Sequence, residues 1–556
     1  MLKTIQGNAF VWKYQQPAMI ENFDNLLKFI LEKRQEEGEF LLNPTLADLS
    51  DPMEMLGMAE AVACTAEILQ QKGNIVIYGD YDVDGTVATA VLVRFLRQCG
   101  AQVTWHIPDR FSEGYGLHRD SMLHLAQSAA LIITVDCGIS GVAEAEILRQ
   151  HQIPLIITDH HQVPAELPHA HAIVNPHQPG CRSRFKELSG TAVALKFAIA
   201  LRKHLGRKDI SLAPLLPLVA LATVADVMPL IGENRTIVQH GLRLFRETPF
   251  AGLRALCHVA NVDLATIRSG DLGFALAPRL NAAGRLEHAS QALELLLCDN
   301  DEDAAVLATQ LNALNLARRE IEQQTVQEAY VLIEERQLER FLPLVVARTD
   351  WNEGVIGIVA SRLKSHFYKP ALVCAIGEDG IAKGSCRSVD GIDIRQHLEV
   401  CADILEGFGG HPMAAGFRIA VENIDTLRQR LHRQMEKIAP EVFQPKLDVA
   451  GTVAPPLLTL QSREQLRVLE PFGRGNEEPV LVANFRLIDV QRLGHDGKHS
   501  RLTLVDPSGG RHQGIAFSQN LQPMVNKNVL LAFRLDINTW NGRSWPQLVV
   551  VDYAAG

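Results

Sequence analysis

Between residues 74 and 158, four short apolar runs recur: Asn74–Tyr78, Gln102–His106, Leu131–Val135 and 154–158. Each ends near polar or acidic residues, and helical patterns such as 86–96 separate them. Short continuous apolar runs rich in Ile and Val suit strands buried on both faces. Their alternation with helices predicts a doubly wound parallel α/β sheet over about residues 51–235. Such a sheet holds its ligands in the crevice outside the carboxyl ends of its strands.

That edge is where the acids fall. Asp80, Asp82 and Asp84 crowd into the segment following the first run. Carboxylates this close repel one another, so a cation is the natural companion of the cluster. The string Asp80-x-Asp82-x-Asp84-Gly85 also opens a calcium loop of the EF-hand kind, whose twelfth position should be Glu. Counting from Asp80 that position is Val91, and a strand rather than a helix precedes the loop, so this reading fails. A solvated acidic turn stays open for the segment taken alone.

Three further positions repeat the pattern. Asp136 follows the third run, Asp159-His160-His161 follows the fourth, and Asp226 ends an apolar stretch. Taken singly, Asp136 also suits a helix cap, and neighbouring histidines also suit solvent. Asp226 is harder to dismiss, because an unpaired buried carboxylate is costly. Together these residues deliver oxygen and imidazole ligands to one sheet edge. The donor set suits Mn²⁺ or Mg²⁺ better than zinc or copper. It is large enough for two ions about 3.5–4 Å apart, the arrangement that clamps both oxygens of a phosphoryl displacement.

The remaining chain divides by pattern. Residues 1–50 read as a charged helical segment and 236–338 as a helical connector. A second α/β pattern occupies 339–440, with Gly-rich stretches at 383–388 and 409–416. From 445 to 556, short alternating strands separated by turns predict a small β-barrel. Leu212 to Ile231 imitates a membrane span, but Pro214, Pro217, Asp226 and Pro229 favour a buried helix. Nine cysteines without a Cys-x-x-Cys pair argue against a zinc site and suit a reducing cytoplasm. The formal net charge of −10 offers no global attraction to nucleic acid, although local basic patches and metal ions can still bind it.

The ordered set Asp80-Tyr-Asp-Val-Asp-Gly85, Val135-Asp-Cys-Gly138, Asp159-His-His161 and Asp226 resembles the four motifs of the DHH phosphoesterases. Gly409-Gly-His-Pro-Met-Ala-Ala-Gly416 resembles the glycine-rich motif of their DHHA1 domain. With Arg110-Phe-Ser-Glu-Gly-Tyr-Gly116, Pro278-Arg-Leu-Asn-Ala-Ala-Gly-Arg285 and a terminal barrel, the whole is similar to the RecJ family of exonucleases.

The resemblance implies Mn²⁺- or Mg²⁺-dependent hydrolysis of single-stranded DNA from its 5′ end, in repair and recombination. It implies Asp82, Asp84, Asp136, His160 and Asp226 as metal ligands, with Asp136 bridging and Asp80 assisting. It gives Asp159 the task of orienting the histidines, and gives His161 and Arg279 the scissile phosphate. Arg110, Ser385 and Arg387 match a pocket for a 5′-phosphate, where the planar fork of arginine is apt. For Ser385 and Arg387 an ordinary turn with a surface salt bridge is the competing reading. Gly409, Gly410 and His411 match a stretch where backbone approaches the strand, with helix packing as the other reading. The barrel would be an OB-fold, with Arg492, Lys498 and Arg501 around the turn 495–497 as candidates for backbone contact. Trp540 and Trp545 suit base stacking or core packing equally. A helicase and a single-strand-binding protein would be natural partners, and no membrane is implied. Two other readings stand beside this one: a phosphodiesterase of short oligonucleotides or cyclic dinucleotides, and a non-catalytic single-strand clamp.

Overall fold

The computed structural model describes residues 4–15, 19–20, 22–36, 43–494 and 497–556. The chain divides into two units. One comprises Glu39–Arg319 with Pro471–Glu477; the other comprises Met1–Gly38, Glu320–Glu470 and Glu478–Gly556.

In the first unit, five strands form one sheet: β1 (Asn74–Tyr78), β2 (Gln102–His106), β3 (Leu131–Val135), β4 (Leu155–Thr158) and β5 (Ala172–Val174). The spatial order is β2-β1-β3-β4-β5 and every pairing is parallel. The doubly wound sheet expected from the apolar runs is therefore present. Ile75 and Ile77 point into a core shared with α1 (Val83–Gln98) and α2 (Gly190–His204). Val76 and Tyr78 point to the other face, against Met122, Ala145 and Leu148. Side chains alternate along a strand, so covering both faces demands the continuous apolar runs seen in the sequence. The chain order reverses direction across β1 and β3, which makes their carboxyl ends the switch point of the sheet.

The imitation of a membrane span resolves into a buried helix, α3 (Leu216–Ala225), with Asp226 as its C-cap. Among the described residues no helix is long and apolar enough to cross a membrane. Helices continue through the connector, ending in α4 (Asp301–Glu335), which carries the boundary between the units.

In the second unit, β6 (Leu344–Thr349), β7 (Ala371–Ile376), β8 (Ile381–Arg387), β9 (Gly407–His411) and β10 (Ala414–Ala420) form a mixed sheet. Both Gly-rich stretches thus lie largely in strands. The terminal barrel closes five strands: β11 (Leu481–Leu493), β12 (His499–Val505), β13 (Arg511–Ala516), β14 (Asn528–Trp540) and β15 (Arg543–Ala555). Closure comes from β12, which pairs with both β11 and β13.

One expectation needs correction. The N-terminal segment read as helical contains strands at Thr4–Gln6, Val11–Tyr14 and Met19–Ile20 before the helix Phe23–Glu36. Val11–Tyr14 pairs with Lys446–Val449, and Met19–Ile20 pairs with Gly451–Val453. Trp12 is fully buried and its indole N–H donates to Asp552 Oδ2 at 2.8 Å. The backbone N–H groups of Ala9 and Phe10 donate to the same carboxylate at 3.0 and 3.1 Å. These pairings join segments more than 400 residues apart, so no local pattern announces them.

Candidate metal centre

The parallel register determines where the acids meet. Tyr78 pairs with Thr134 and Val135 with Thr158, so Asp80, Asp136 and Asp159 continue one row past the strand ends. Asp136 adopts a left-handed backbone (φ 61°), and its N–H still donates to Thr158 O at 3.0 Å. Few side chains tolerate that conformation, and Asp is one of them. The turn directs the next residues away from the strand while the carboxylate stays at the edge.

Asp82 and Asp84 are delivered by the start of α1. Asp82 is its N-cap, accepting the Gly85 N–H at 3.1 Å, and Asp84 lies in the first turn. Negative charge is favoured at that end of a helix. Asp226 arrives from the opposite end of α3. His160 Nε2 lies 3.0 Å from Asp136 Oδ1, 3.7 Å from Asp226 Oδ2 and 3.9 Å from Asp84 Oδ2.

Three donor groups result, each with ligand atoms within 4.8 Å of one another: Asp80, Asp82 and Asp136; Asp84, His160 and Asp226; and Asp136, His160 and His161. Asp136 belongs to two of them, one on the Asp80 side and one on the histidine side. Five of the expected ligands therefore come together, with Asp80 and His161 beside them.

The electrostatics call for cations. Asp80, Asp84 and Asp136 are only 3%, 1% and 2% exposed. Burial, reinforced by Asp84 and Asp82, pushes the Asp136 carboxyl well above the usual carboxylate range. Burial and Asp82 do the same to Asp80, and burial with Asp84 to Asp226. Asp80 Oδ1 is buried without a hydrogen-bond partner, and Asp136 Oδ1, although 3.0 Å from His160 Nε2, lies outside hydrogen-bonding geometry. Buried oxygens in that state, on acids that repel one another, are what a hard divalent cation would satisfy. The residues present fit Mn²⁺ or Mg²⁺.

Asp159 acts differently. It is completely buried, and its Oδ1 accepts from the His160 N–H (2.7 Å), the His161 N–H (3.1 Å) and His161 Nδ1 (2.7 Å). Its Oδ2 accepts from the Ile139 N–H at 3.0 Å. Burial opposes its ionisation, yet the bond to His161 and both histidine charges hold it below the usual range. Burial likewise opposes a charge on His161, but the bond to Asp159 and its charge raise that imidazole to about 9. Asp159 thus fixes the ring of His161, as the outer carboxylates of metal sites commonly do.

Other expected residues are placed as follows. Arg110 places its guanidinium 5.0 Å from the centre of the Tyr81 ring, and its charge partly opposes the upward push on the Asp80 carboxyl, so it borders the acids. Arg279 donates to Ala275 O (2.6 Å) and Asn312 Oδ1 (2.9 Å). Its helix, Ala277–Leu286, approaches the acid loop closely at Gly284, where a Cβ would sit 2.7 Å from Tyr81 O. None of its named partners is a metal-site residue.

Ser385 and Arg387 belong to the second unit. Both lie on β8, with Arg387 Nη1 donating to Ser385 Oγ at 3.1 Å and to Cys386 O at 2.7 Å. Gly357, in the helix Glu353–Phe367, faces both: a Cβ there would lie 3.1 Å from Ser385 Oγ and from Arg387 Nη2. Gly409, Gly410 and His411 are exposed on β9, at the edge of the sheet. Gly410 requires glycine (φ 133°), whereas a side chain at Gly409 would meet open space. Trp540 is 70% exposed beside the turn Asn541-Gly542, which decides against core packing for it; Trp545 is half-buried. His495 and Asp496, in the turn near Arg492, Lys498 and Arg501, lie outside the described residues.

Sequence reasoning missed several contributors. Tyr115 places its hydroxyl 3.0 Å from His161 Nδ1, and Asn175 Nδ2 donates to His161 O at 2.9 Å. Gly190 and Thr191 donate backbone N–H groups to Asp84. The reach of the Gly190 and Thr191 N–H groups to Asp84, over 100 positions away, has no signal in the sequence.

Comparisons with known proteins match nearly the whole chain to one family. Residues 74–223 match the DHH family, N-terminal domain; 341–437 match the DHHA1 domain; and 449–552 match the RecJ OB domain. The single-stranded-DNA-specific exonuclease RecJ of Dickeya dadantii is 39% identical over 92% of this chain and 92% of its own length. The chain belongs to the RecJ family. The Escherichia coli RecJ is 38% identical over 89% of this chain and 90% of its own length. The Bacillus subtilis RecJ is 39% identical over 93% of this chain, which spans 66% of that longer protein. The crystal structure of Thermus thermophilus RecJ in complex with Mn²⁺ superposes with a TM-score of 0.83 at 29% identity, covering 98% of this chain and 79% of that one. A complex of that RecJ with Mg²⁺ gives a TM-score of 0.77 at 28% identity, covering 98% and 78%.

Proposed function

We propose that this RecJ-family chain is a metal-dependent exonuclease that hydrolyses the phosphodiester bonds of single-stranded DNA, releasing nucleotides from the 5′ end. The observation that carries the reading is Asp136: its carboxylate joins Asp80 and Asp82 in one donor group, and its Oδ1 lies 3.0 Å from His160 Nε2 of the group formed with Asp84 and Asp226. Two divalent ions held there would lower the pKa of a water and clamp the attacking and leaving oxygens of an in-line displacement. Asp82 and Asp80 would hold one side of the site, and Asp84, His160 and Asp226 the other.

The remaining work falls to protein groups. His161, whose charge Asp159 favours, would donate to a non-bridging phosphate oxygen and stabilise charge as it develops there. Arg279 would contribute positive charge to the same phosphate after exchanging its contact with Asn312, whereas Arg110 would contribute to holding the terminal 5′-phosphate. Ser385 and Arg387 on β8 would take the terminal 5′-phosphate, through a charge-assisted fork and a hydroxyl donor. Gly409, with open space at its Cα, would let the strand pass close to backbone, with His411 alongside. Digestion of this kind would serve repair and recombination, alongside a helicase and a single-strand-binding protein.

A time course on 5′- and 3′-end-labelled DNA, single- and double-stranded, with and without Mn²⁺, tests the reading. Mononucleotides should appear first from the 5′ label, on single strands only, and only with metal. Faster cleavage of a dinucleotide than of the long strand would move the assignment to an oligonucleotide phosphodiesterase. Binding without cleavage would make the chain a clamp.

A further inference from the structure

The loop Leu188-Ser189-Gly190-Thr191 enters α2 directly against the metal centre. Gly190 N–H donates to Asp84 Oδ2 at 2.6 Å and Thr191 N–H to Asp84 Oδ1 at 2.9 Å. The Thr191 hydroxyl donates to the backbone carbonyl of Asp84 at 2.9 Å. One short stretch therefore holds both carboxylate oxygens and the main chain of a single candidate ligand. The N–H groups it uses belong to the first turn of a helix, where no intrahelical acceptor exists for them. Their donation removes no bond from α2.

The same stretch also borders Asp136. A Cβ at Gly190 would lie 2.5 Å from the Asp136 Cβ and 2.7 Å from its Cγ. Neither atom is the end of a flexible side chain, and Asp136 is already committed to a left-handed backbone at a strand end. Any side chain at position 190 must therefore displace the carboxylate shared by the two donor groups.

We infer that Gly190 and Thr191 are positioning residues of the metal centre: their backbone N–H groups orient Asp84, and the missing side chain at 190 reserves the place of Asp136. The inference rests on the metal-site reading and adds to it a requirement that no ligand residue expresses. Asp84 is left with one free lone-pair direction on each oxygen, which suits contact with one ion. Asp136, whose Oδ1 accepts no hydrogen bond, keeps its freedom to serve two.

The test uses the full chain stripped of metal and titrated with Mn²⁺ alone, following free Mn²⁺ by electron paramagnetic resonance and heat by calorimetry. Gly190→Ala is expected to weaken Mn²⁺ binding by about tenfold or more, the range typical when groups supporting metal ligands are altered. It should also lower kcat while leaving KM for the DNA strand nearly unchanged. Thr191→Val, which deletes only the hydroxyl bond, is expected to weaken Mn²⁺ binding by a smaller factor.

Ser189→Ala serves as the control for helix stability. The Ser189 side chain caps α2 by accepting the Ala192 N–H at 3.2 Å and does not touch Asp84. It should lower the melting temperature in EDTA and leave Mn²⁺ binding unchanged. Unchanged Mn²⁺ affinity in folded Gly190→Ala overturns the proposal, as does an equal loss in Ser189→Ala. If Gly190→Ala does not fold, unchanged affinity in Thr191→Val overturns it instead. Absence of Mn²⁺ binding in the unaltered chain would overturn the metal-site reading itself, and this inference with it.

Discussion

The sheet edge that carries the acids and the sheet that carries Ser385 and Arg387 handle charge in opposite ways. At the first, carboxylates are buried together, and burial with mutual repulsion drives Asp80, Asp136 and Asp226 upward. Stability is surrendered there unless a cation arrives. At the second, Arg387 is half-buried and donates to Ser385 Oγ and to the backbone carbonyl of Cys386. The lesson is that charge can be buried in two ways: crowded with like charges that a cation would relieve, or turned onto neutral oxygens close by.

The sharpest way to break this contrast is Asp136→Ala. Turnover should fall by more than about 10³-fold, because the position serves both donor groups. In EDTA an Asp136→Asn variant, which keeps a residue tolerant of the left-handed backbone, should melt no lower than the unaltered chain, since a buried repelling charge has been removed. A lower melting temperature in EDTA would show that the acid stabilises the fold, contrary to the reading above.

Adding metal probes the same imbalance from the other side. Mn²⁺ at 100 times its dissociation constant should stabilise the chain by about 2.7 kcal/mol for one site. A melting curve that ignores Mn²⁺ would deny the centre its cation. Next in size, Asp159→Asn should cost about 10–100-fold in metal affinity or activity by releasing His161. It should also bring the pKa of His161 down from about 9, which histidine NMR titration would read.

Arg387→Ala tests the second region. It should reduce the preference for 5′-phosphorylated over 5′-hydroxyl ends by about tenfold, the worth of one charge-assisted contact of roughly 1.5 kcal/mol. Retained preference would remove β8 from the pocket. The smallest effect is expected for Trp540→Ala at the barrel. With 70% of the side chain exposed, stability should change by less than about 0.5 kcal/mol. Single-strand affinity should fall several-fold if the ring stacks a base, a contact worth about 1–3 kcal/mol.

Much of this was legible in the chain. A strand buried on two faces must be apolar throughout, so β1, β3 and β4 announce themselves, and the acids that end them announce the ligand edge. Asp80, Asp82, Asp84, Asp136, His160 and Asp226 could be named because buried carboxylates are rarely tolerated without a partner. The first twenty residues could not be read, because Val11–Tyr14 becomes a strand only through Lys446–Val449, and Trp12 finds its acceptor 540 positions away.

What the sequence by itself determined is the chemistry: the alternation of elements, the donor types and the edge where they gather, since these follow from local polarity and period. What only the tertiary structure decided is the aim of each group. The sheet register aligned Asp80, Asp136 and Asp159, Asp159 locked His161, and Gly190 cleared the space that Asp136 occupies. Those outcomes depend on hydrogen bonds and van der Waals distances between distant segments, and no window of sequence contains both partners.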